Sequence, residues 1–560
     1  MWTQSDRQHR HGLSVLESKP SLIIGVDLDN TLINYDTAFL LGARDLGLIA
    51  PDWHGDKGQI REYLRLRDGG EAQWQCLQGQ VYGRLITHAR LFDDAYRFLW
   101  RCRQRGYSVD LVSHKTEYGH RDDNKVPLRK VAIDFLQSHG VIAGNDNLLR
   151  KIYFENTREA KVLRIVENGY DWFIDDLPEV LEDVGLPKVL GRILLRENRQ
   201  NPVDGLVTCC SWVEIENRLL GDWTESELFA LAETVASTRV ASVKWLTRGG
   251  NSGLIEVTTE GDRKYALKLY PGRTAHDRLS AEYNSFKLIS EYAVDSVPLP
   301  FRNHLELNAG MYEWIEGGVV SHPDGEHIQQ ALRFLEVLHG LRDLSSLQGF
   351  HNASAAFLSG FGFEKQLRTR FNFLSSIALE YPEMHDYLQN ELFPIMENIL
   401  RWTRSEWWIE PGYFEPLPRV KQTLSPSDFG FHNAIERANG KLAFIDFEYF
   451  GWDDPVKLIA DFGFHPGMQI DSDLKQQWVD GAVKIYGEEI LDRLRLAWPM
   501  IGLSWCLILL NEYRGDIWLR RCAANADKFA RREEILAAQL KRSRELLARV
   551  STCYSQHSFC

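Results

Sequence analysis

Asp27 and Asp29 flank a single leucine and are followed by Asn30 and Thr31, directly after the apolar run Leu22-Ile-Ile-Gly-Val26. Two carboxylates at i and i+2 across a sharp turn repel each other unless a cation or a proton relieves them. Mg2+ bound together with a phosphate does so. A second acidic pair, Asp175-Asp176, ends the segment Trp172-Phe-Ile174, and adjacent acids at the exit of a buried strand are costly without a metal. Between the pairs lie Ser113, ending Ser108-Val-Asp-Leu-Val112, and Lys161, on a predicted helix over Arg158–Val166. The hydroxyl suits a phosphate oxygen, and the ammonium suits a phosphoryl group and the carboxylate attacking it. The set fits metal-assisted chemistry at phosphorus.

A separate constellation lies in the second half. Lys268 stands in Tyr265-Ala-Leu-Lys-Leu-Tyr270, and Glu282 follows 14 residues later in a helical pattern. A strand lysine paired with a helical glutamate is how kinases hold the α- and β-phosphates of ATP. Upstream, Arg248-Gly249-Gly250-Asn-Ser-Gly253 joins two predicted strands, where the backbone can approach phosphates, although a plain hairpin turn has the same composition. Further on come Leu424-Ser-Pro-Ser-Asp428-Phe-Gly-Phe-His432-Asn433 and Lys441-Leu-Ala-Phe-Ile-Asp446-Phe-Glu448. Asp428 and Asn433 have the base-to-metal spacing of a kinase catalytic loop, and Asp446 ends an apolar strand as a second metal ligand does. His432 reads as structural.

These residues need a scaffold, and the hydrophobic pattern supplies two kinds. Before Leu220, apolar or β-branched runs at 22–26, 108–112, 152–154, 172–174 and 192–195 alternate with helical patterns such as 126–137. That alternation predicts an α/β doubly wound parallel sheet, in which ligands gather outside the carboxyl ends of the strands. Both acidic pairs fall there. After Leu220, Thr224-Glu-Ser-Glu227 predicts a capping box, and strands over 242–247, 254–259 and 264–270 follow in meander order, the last two joined at Glu260-Gly-Asp262. From about Val319 the pattern turns helical, apart from a strand-like pair flanking Asn439-Gly440. A bilobal α+β domain is expected, with a first lobe over about 240–318 and a second over about 319–550.

In this order and at these strand and helix edges, Asp27, Asp29, Thr31, Ser113, Lys161 and Asp175-Asp176 resemble the haloacid dehalogenase-like phosphohydrolases, over roughly Leu22 to Arg218 of a domain spanning 1–220. The resemblance implies that Asp27 is the nucleophile forming an aspartyl-phosphate and Asp29 the general acid and base. Thr31 and Ser113 then hold phosphate oxygens and Lys161 balances charge, with Lys115 the other candidate for that role. Asp175 and Asp176 hold Mg2+ together with Asp27 and the Asp29 backbone. The acid at Asp29 favours phosphatase over dehalogenase chemistry. The helical insert between about 36 and 92 corresponds to the family's substrate-selecting cap.

The second half, about Trp223 to Arg549 within a domain spanning 221–560, resembles the aminoglycoside phosphotransferase and choline kinase family, including Gly451-Trp-Asp-Asp-Pro455 and Asp461. By that resemblance Asp428 orients the acceptor hydroxyl as base, Asn433 and Asp446 hold Mg2+, and Lys268 with Glu282 positions ATP beneath Gly249 and Gly250. Glu313 and Trp314, in Tyr312-Glu-Trp-Ile-Glu316, fit the interlobe hinge against adenine. The family usually has His two residues before the base, and Pro426 stands there instead. A bifunctional kinase and phosphatase, acting on successive steps of one sugar phosphate, is the resulting expectation. A kinase with a regulatory N-terminal domain, and a phosphatase with a nucleotide-sensing C-terminal domain, are the other two readings of the same motifs.

Composition narrows the partners. The 560 residues are 44% hydrophobic and 26% charged, as in ordinary globular proteins. The net charge of −13 divides into −3 before and −10 after Leu220, so neither half has the basic balance of a nucleic-acid binder. No GxxxxGK[ST] phosphate loop occurs. The eight cysteines form no CxxC pair and read as reduced thiols. The polar first 20 residues lack a signal peptide's apolar core, and the stretch Leu496–Leu510 is too short for a membrane span. A cytoplasmic enzyme of small molecules, without nucleic-acid or membrane partners, is expected.

Overall fold

A computed structural model describes residues 21–559 except 120–124, 197–204, 249–251, 273–275, 345–346, 348, 469, 516, 519–530 and 557. Two compact units divide at Ala230 and Leu231.

In the first unit, β1 (Ile23–Val26) leads through the short strand β2 (Ile33–Asn34) to α1 (Asp36–Asp45), α2 (Lys57–Arg65) and α3 (Gly70–Tyr82). The chain returns at β3 (Arg90–Leu91), which pairs antiparallel with β2, so the insert leaves and re-enters at one point. There follow α4 (Ala95–Gln104), β4 (Ser108–His114), α5 (Leu128–Ser138), β5 (Lys151–Glu155), α6 (Arg158–Asn168), β6 (Trp172–Asp175), α7 (Pro178–Leu181), β7 (Gly191–Leu195), β8 (Val207–Cys209) and α8 (Trp212–Leu219). The sheet order is β5-β4-β1-β6-β7-β8 with every pairing parallel. Its central strands are apolar on both faces, as helix-covered parallel strands are. Because β1 lies between β4 and β6, their carboxyl ends bring Asp27, Ser113 and Asp175 to one edge. The chain reverses direction across the sheet there, where a crevice opens.

α9 (Glu225–Ala236) begins with the expected box: Thr224 Oγ1 accepts from the Glu227 N–H at 3.2 Å, and the Glu227 carboxylate accepts from the Thr224 N–H at 2.7 Å. The same carboxylate, wholly buried, takes Arg101 Nε at 3.0 Å and Arg105 Nε at 2.8 Å, while Glu216 takes Arg101 Nη1 at 2.8 Å. Burial opposes ionisation, but the hydrogen bonds from Arg105 and Arg101 overcome it and hold Glu227 down at about 2. The folded value lies below the ordinary 4.5, so the contribution is complete above about pH 4.5 and is lost as pH falls through about 2. Glu227→Ala removes a cap and leaves Arg101 short of a partner in the interior, and should cost about 3–5 kcal/mol at neutral pH in a denaturation experiment.

The second unit starts with a five-stranded antiparallel sheet, β9 (Val240–Arg248), β10 (Gly253–Thr259), β11 (Lys264–Leu269), β12 (Pro300–His304) and β13 (Ala309–Glu313), in order β12-β13-β11-β10-β9, with α10 (Arg278–Ser290) after β11. Next come β14 (Gly318–Val319), α11 (Gly325–Leu341), α12 (Gly360–Ala378), α13 (Pro382–Asp386) and α14 (Phe393–Glu406). Four short strands, β15 (Thr423–Ser425), β16 (Ala434–Glu436), β17 (Leu442–Phe444) and β18 (Gly451–Asp453), carry the loops of interest, and β16 and β17 flank Asn439-Gly440 as expected. The rest is helical: α15 (Pro455–Phe464), α16 (Ser472–Tyr486), α17 (Leu491–Leu509) and α18 (Arg532–Gln556).

One apolar core joins α11, α12, α14, α15, α16 and α17. Among the described residues one helical stretch, Glu488–Tyr513, has the length and composition of a membrane span, and it is mostly buried in this core. Cys76, Cys102 and Cys506 are free thiols. Cys553 is disulfide-bonded, contrary to the expectation that every cysteine is reduced.

Candidate active sites

At the sheet edge of the first unit, Lys161 is buried and donates to Asp27 Oδ1 at 2.7 Å and to Asp175 Oδ2 at 2.6 Å. α6 brings it there because Thr157 caps the helix through the Ala160 N–H, which puts Lys161 on the turn facing β1 and β6. Lys115, the other candidate for this position, instead contacts both oxygens of Asp29 at 2.8 and 2.9 Å, and Tyr35 donates to Asp29 Oδ1 at 2.7 Å. Asp27 and Asp29 are thus each bonded to a different lysine.

Asp27, Asp175 and Asp176 offer oxygens within 4.8 Å of one another. Burial raises the Asp27 carboxyl to about 7, with Lys161 opposing and Asp175 and Asp29 adding to the rise. Asp176 is raised to about 8 by burial and then by Asp27 and Asp175. Lys161 is bonded to two of these three carboxylates and Lys57 lies near the third, which leaves the cluster short of positive charge, and an all-oxygen donor set of this kind fits a hard divalent cation such as Mg2+. When bound, that cation neutralises charge on phosphate oxygens. Thr31 Oγ1 and Ser113 Oγ are buried hydroxyls with no hydrogen-bond partner. Two such hydroxyls in a buried polar site can each donate to an oxyanion. Mg2+ added to metal-free protein should raise Tm, by the equivalent of about 2.7 kcal/mol at a hundredfold excess over Kd. Asp176→Asn should shrink that shift.

A cavity of about 360 Å3 opens over these groups, with Lys57, Gln75, Gln78 and Tyr82 of the insert forming one side and Asp27, Asp29, Ser113, Lys115, Lys161 and Asp176 among the residues of the other. Lys57 Nζ donates to Tyr82 Oη at 3.1 Å, and Lys115 lies over the Tyr82 ring. The insert therefore covers the carboxylates directly, and its contributing residues had no motif by which to be found.

In the second unit, Lys268 on β11 meets Glu282 on α10 at 2.7 Å, as the spacing predicts. It also meets Asp446 at 2.5 Å and Glu448 at 2.9 Å. Burial raises Glu282 to about 7, only partly offset by Lys268. Glu448, which no motif singled out, accepts from Arg278 at 3.1 Å and from Ser252 Oγ at 2.5 Å. Its position two residues past Asp446 on a strand exit was the available signal. Three acids around one lysine again fit a divalent cation. Asp446 has φ 66°, a conformation costly for a residue with a Cβ and typical of functional sites.

Asp428 lies between β15 and β16. Against the desolvation around it, the hydrogen bond from His432 Nε2 to Oδ1 at 3.0 Å holds its carboxyl below the usual range. Asn433 Nδ2 donates to the Asp428 carbonyl at 3.0 Å, a bond that does not use its amide oxygen. His432 is therefore more than structural packing, since it touches the carboxylate read as the base. His465, 3.6 Å from the same oxygen, was not foreseen at all. Burial and then His432 lower its pKa to about 4.

Glu313 spends its carboxylate on Arg437 at 3.2 Å and its N–H on the Leu299 carbonyl at 2.8 Å. Its side chain is thus engaged within the protein. Trp314 follows β13, with Lys264 Nζ 5.8 Å from its ring centroid. Gly249 and Gly250 lie outside the described residues.

Residues 247–497 match the family described as "Phosphotransferase enzyme family". No curated protein matches the chain. Among solved structures, a spectinomycin phosphotransferase with ADP and spectinomycin is similar at 13% identity and TM-score 0.43, covering 60% of this chain and 99% of that one. Ethanolamine kinase of Plasmodium vivax is similar at 15% identity and TM-score 0.34, covering 51% and 81%. Over residues 247–497, then, this chain carries a domain of the phosphotransferase enzyme family.

Proposed function

We propose that the chain is a bifunctional phosphoryl-transfer enzyme, with an ATP-dependent small-molecule kinase in the second unit and a Mg2+-dependent phosphomonoesterase of the haloacid dehalogenase-like kind in the first. The kinase reading rests on the family match together with the Lys268–Glu282 pair, Asp446 and the Asp428 loop. Asp428 accepts the proton of the acceptor hydroxyl as its oxygen bonds the γ-phosphorus, and the bond to the bridging oxygen of ADP breaks.

The observation that carries the phosphatase reading is the convergence of Asp27, Lys161, Asp175 and Asp176 beneath two partnerless hydroxyls, Thr31 and Ser113. Asp27 attacks phosphorus to give an aspartyl-phosphate and the leaving oxygen takes a proton from Asp29. Water, deprotonated by Asp29, then releases phosphate and restores Asp27. The cavity favours a small phosphomonoester. Lys115 and Lys161 are both engaged with carboxylates, Lys57 on the insert side is bonded to Tyr82, and the polar Gln75, Gln78 and Tyr82 fit a polyhydroxylated group such as a sugar. Incubation with Mg-ATP and sugars, amino alcohols and their phosphates, followed by phosphorus NMR, tests both halves. Two new phosphorus products, one dependent on ATP and one inorganic phosphate, are expected.

A further inference from the structure

Pro426 stands where a supporting histidine would brace Asp428, yet the loop is braced from elsewhere. The His432 and His465 rings stack with centroids 3.6 Å apart and planes 10° apart. His465 Nδ1 accepts from the Gly467 N–H at 3.1 Å. An acceptor nitrogen carries no proton, so in the neutral ring the proton sits on Nε2, the atom 3.6 Å from Asp428 Oδ1. His432 Nε2, 3.0 Å from the same oxygen, faces a carboxylate and must also donate. His432 thus donates to one oxygen of the base, and a second N–H, that of His465, faces the same oxygen at 3.6 Å, beyond hydrogen-bond distance.

The stack is built in. Trp505 packs edge-on against His465 at 4.7 Å and 88°, and its Nε1–H is fixed by Asp461 Oδ1 at 2.8 Å. Asp461 in turn holds Lys457 at 2.5 Å. A Cβ at residue 430 would lie 2.8 Å from His432 Nδ1, and one at 467 would lie 3.1 Å from both His432 Cβ and the His465 ring. Glycine at both places lets the two imidazoles close on each other. A metal bridging these groups does not fit, because a protonated Nε2 is no ligand and lone pairs in parallel stacked planes do not converge.

We infer that His465 is a positioning residue for the base: stacked on His432, it turns its Nε2–H dipole toward the oxygen that His432 bonds, Asp428 Oδ1, so that Oδ2 alone is presented to the acceptor hydroxyl. The inference rests on the reading of Asp428 as the base. It also gives Asp461 a task, which is to hold Trp505 against the imidazole.

Three full-length variants test it, with ADP formation from Mg-ATP as the readout in a mixture of glucose, mannose, ethanolamine and choline, where water also serves as acceptor. His465→Phe keeps the ring stack and loses the donor, whereas His465→Gln places an amide N–H near the position of Nε2. His465→Phe should lower kcat on the order of 10- to 100-fold with the KM for ATP unchanged, and His465→Gln should recover most of it. Wild-type kcat in His465→Phe, or a loss in His465→Gln as deep as in His465→Phe, would overturn the inference. An Asp428→Asn variant as fast as the wild type would instead defeat the assignment of the base, so the two failures are distinguishable.

Discussion

Asp27→Asn should eliminate phosphomonoester hydrolysis, with a loss of about 10⁴-fold or more, because a carboxamide oxygen is too weak a nucleophile to form the covalent intermediate. Little else should change. Asn is nearly isosteric with Asp, and Lys161 retains Asp175 at 2.6 Å as a partner. The substitution also removes one of the carboxylates that crowd this edge, where burial already pushes Asp27 to about 7. The variant should therefore melt no lower than the wild type without Mg2+. Phosphate release measured alongside Tm checks both parts, and full hydrolysis by a well-folded Asp27→Asn protein would remove Asp27 from the mechanism.

Asp428→Asn should cut transfer from ATP on the order of 10²- to 10⁴-fold, the usual contribution of a positioned general base. Nucleotide affinity should be nearly unchanged, since Glu282, Asp446 and Glu448 cluster around Lys268, a group none of these ion pairs ties to Asp428. His432 and His465 would then face a neutral amide in place of the carboxylate they both approach. ADP production and equilibrium binding of ATP, measured on the same preparation, separate loss of chemistry from loss of binding. Transfer at the wild-type rate would show that some other group takes the hydroxyl proton.

Much of the scaffold was legible because it rests on local pattern. The apolar runs at 22–26, 108–112 and 172–174 became β1, β4 and β6, and these three lie side by side. Asp27, Ser113 and Asp175 could then be brought together from sequence, since parallel strands with helical crossovers put their carboxyl ends on one edge. Lys268 and Glu282 were readable for the same reason, as a strand and the helix that follows it. The partners of Lys115 were not readable, because a lysine one residue past a strand can reach either neighbouring carboxylate, and the choice of Asp29 depends on loop geometry. His465 lies 37 residues beyond Asp428 on a different element, and a lone histidine after a buried helix carries no periodicity or motif. The cavity residues Lys57, Gln75 and Gln78 belong to an insert whose helices encode their own packing, with no trace of the carboxylates they cover.

The central claim is that two independent phosphoryl centres share this chain, and reciprocal loss is its most direct test. Wild type, Asp27→Asn and Asp428→Asn, each full length, would be followed by phosphorus NMR with Mg-ATP, the same sugars and amino alcohols, and a sugar monophosphate. The account predicts that Asp27→Asn still converts ATP to ADP but releases no phosphate from the sugar monophosphate, while Asp428→Asn still releases that phosphate and leaves ATP intact. If both variants lost the same activity, or if Asp27→Asn kept phosphate release at the wild-type rate, the two-centre account would be contradicted.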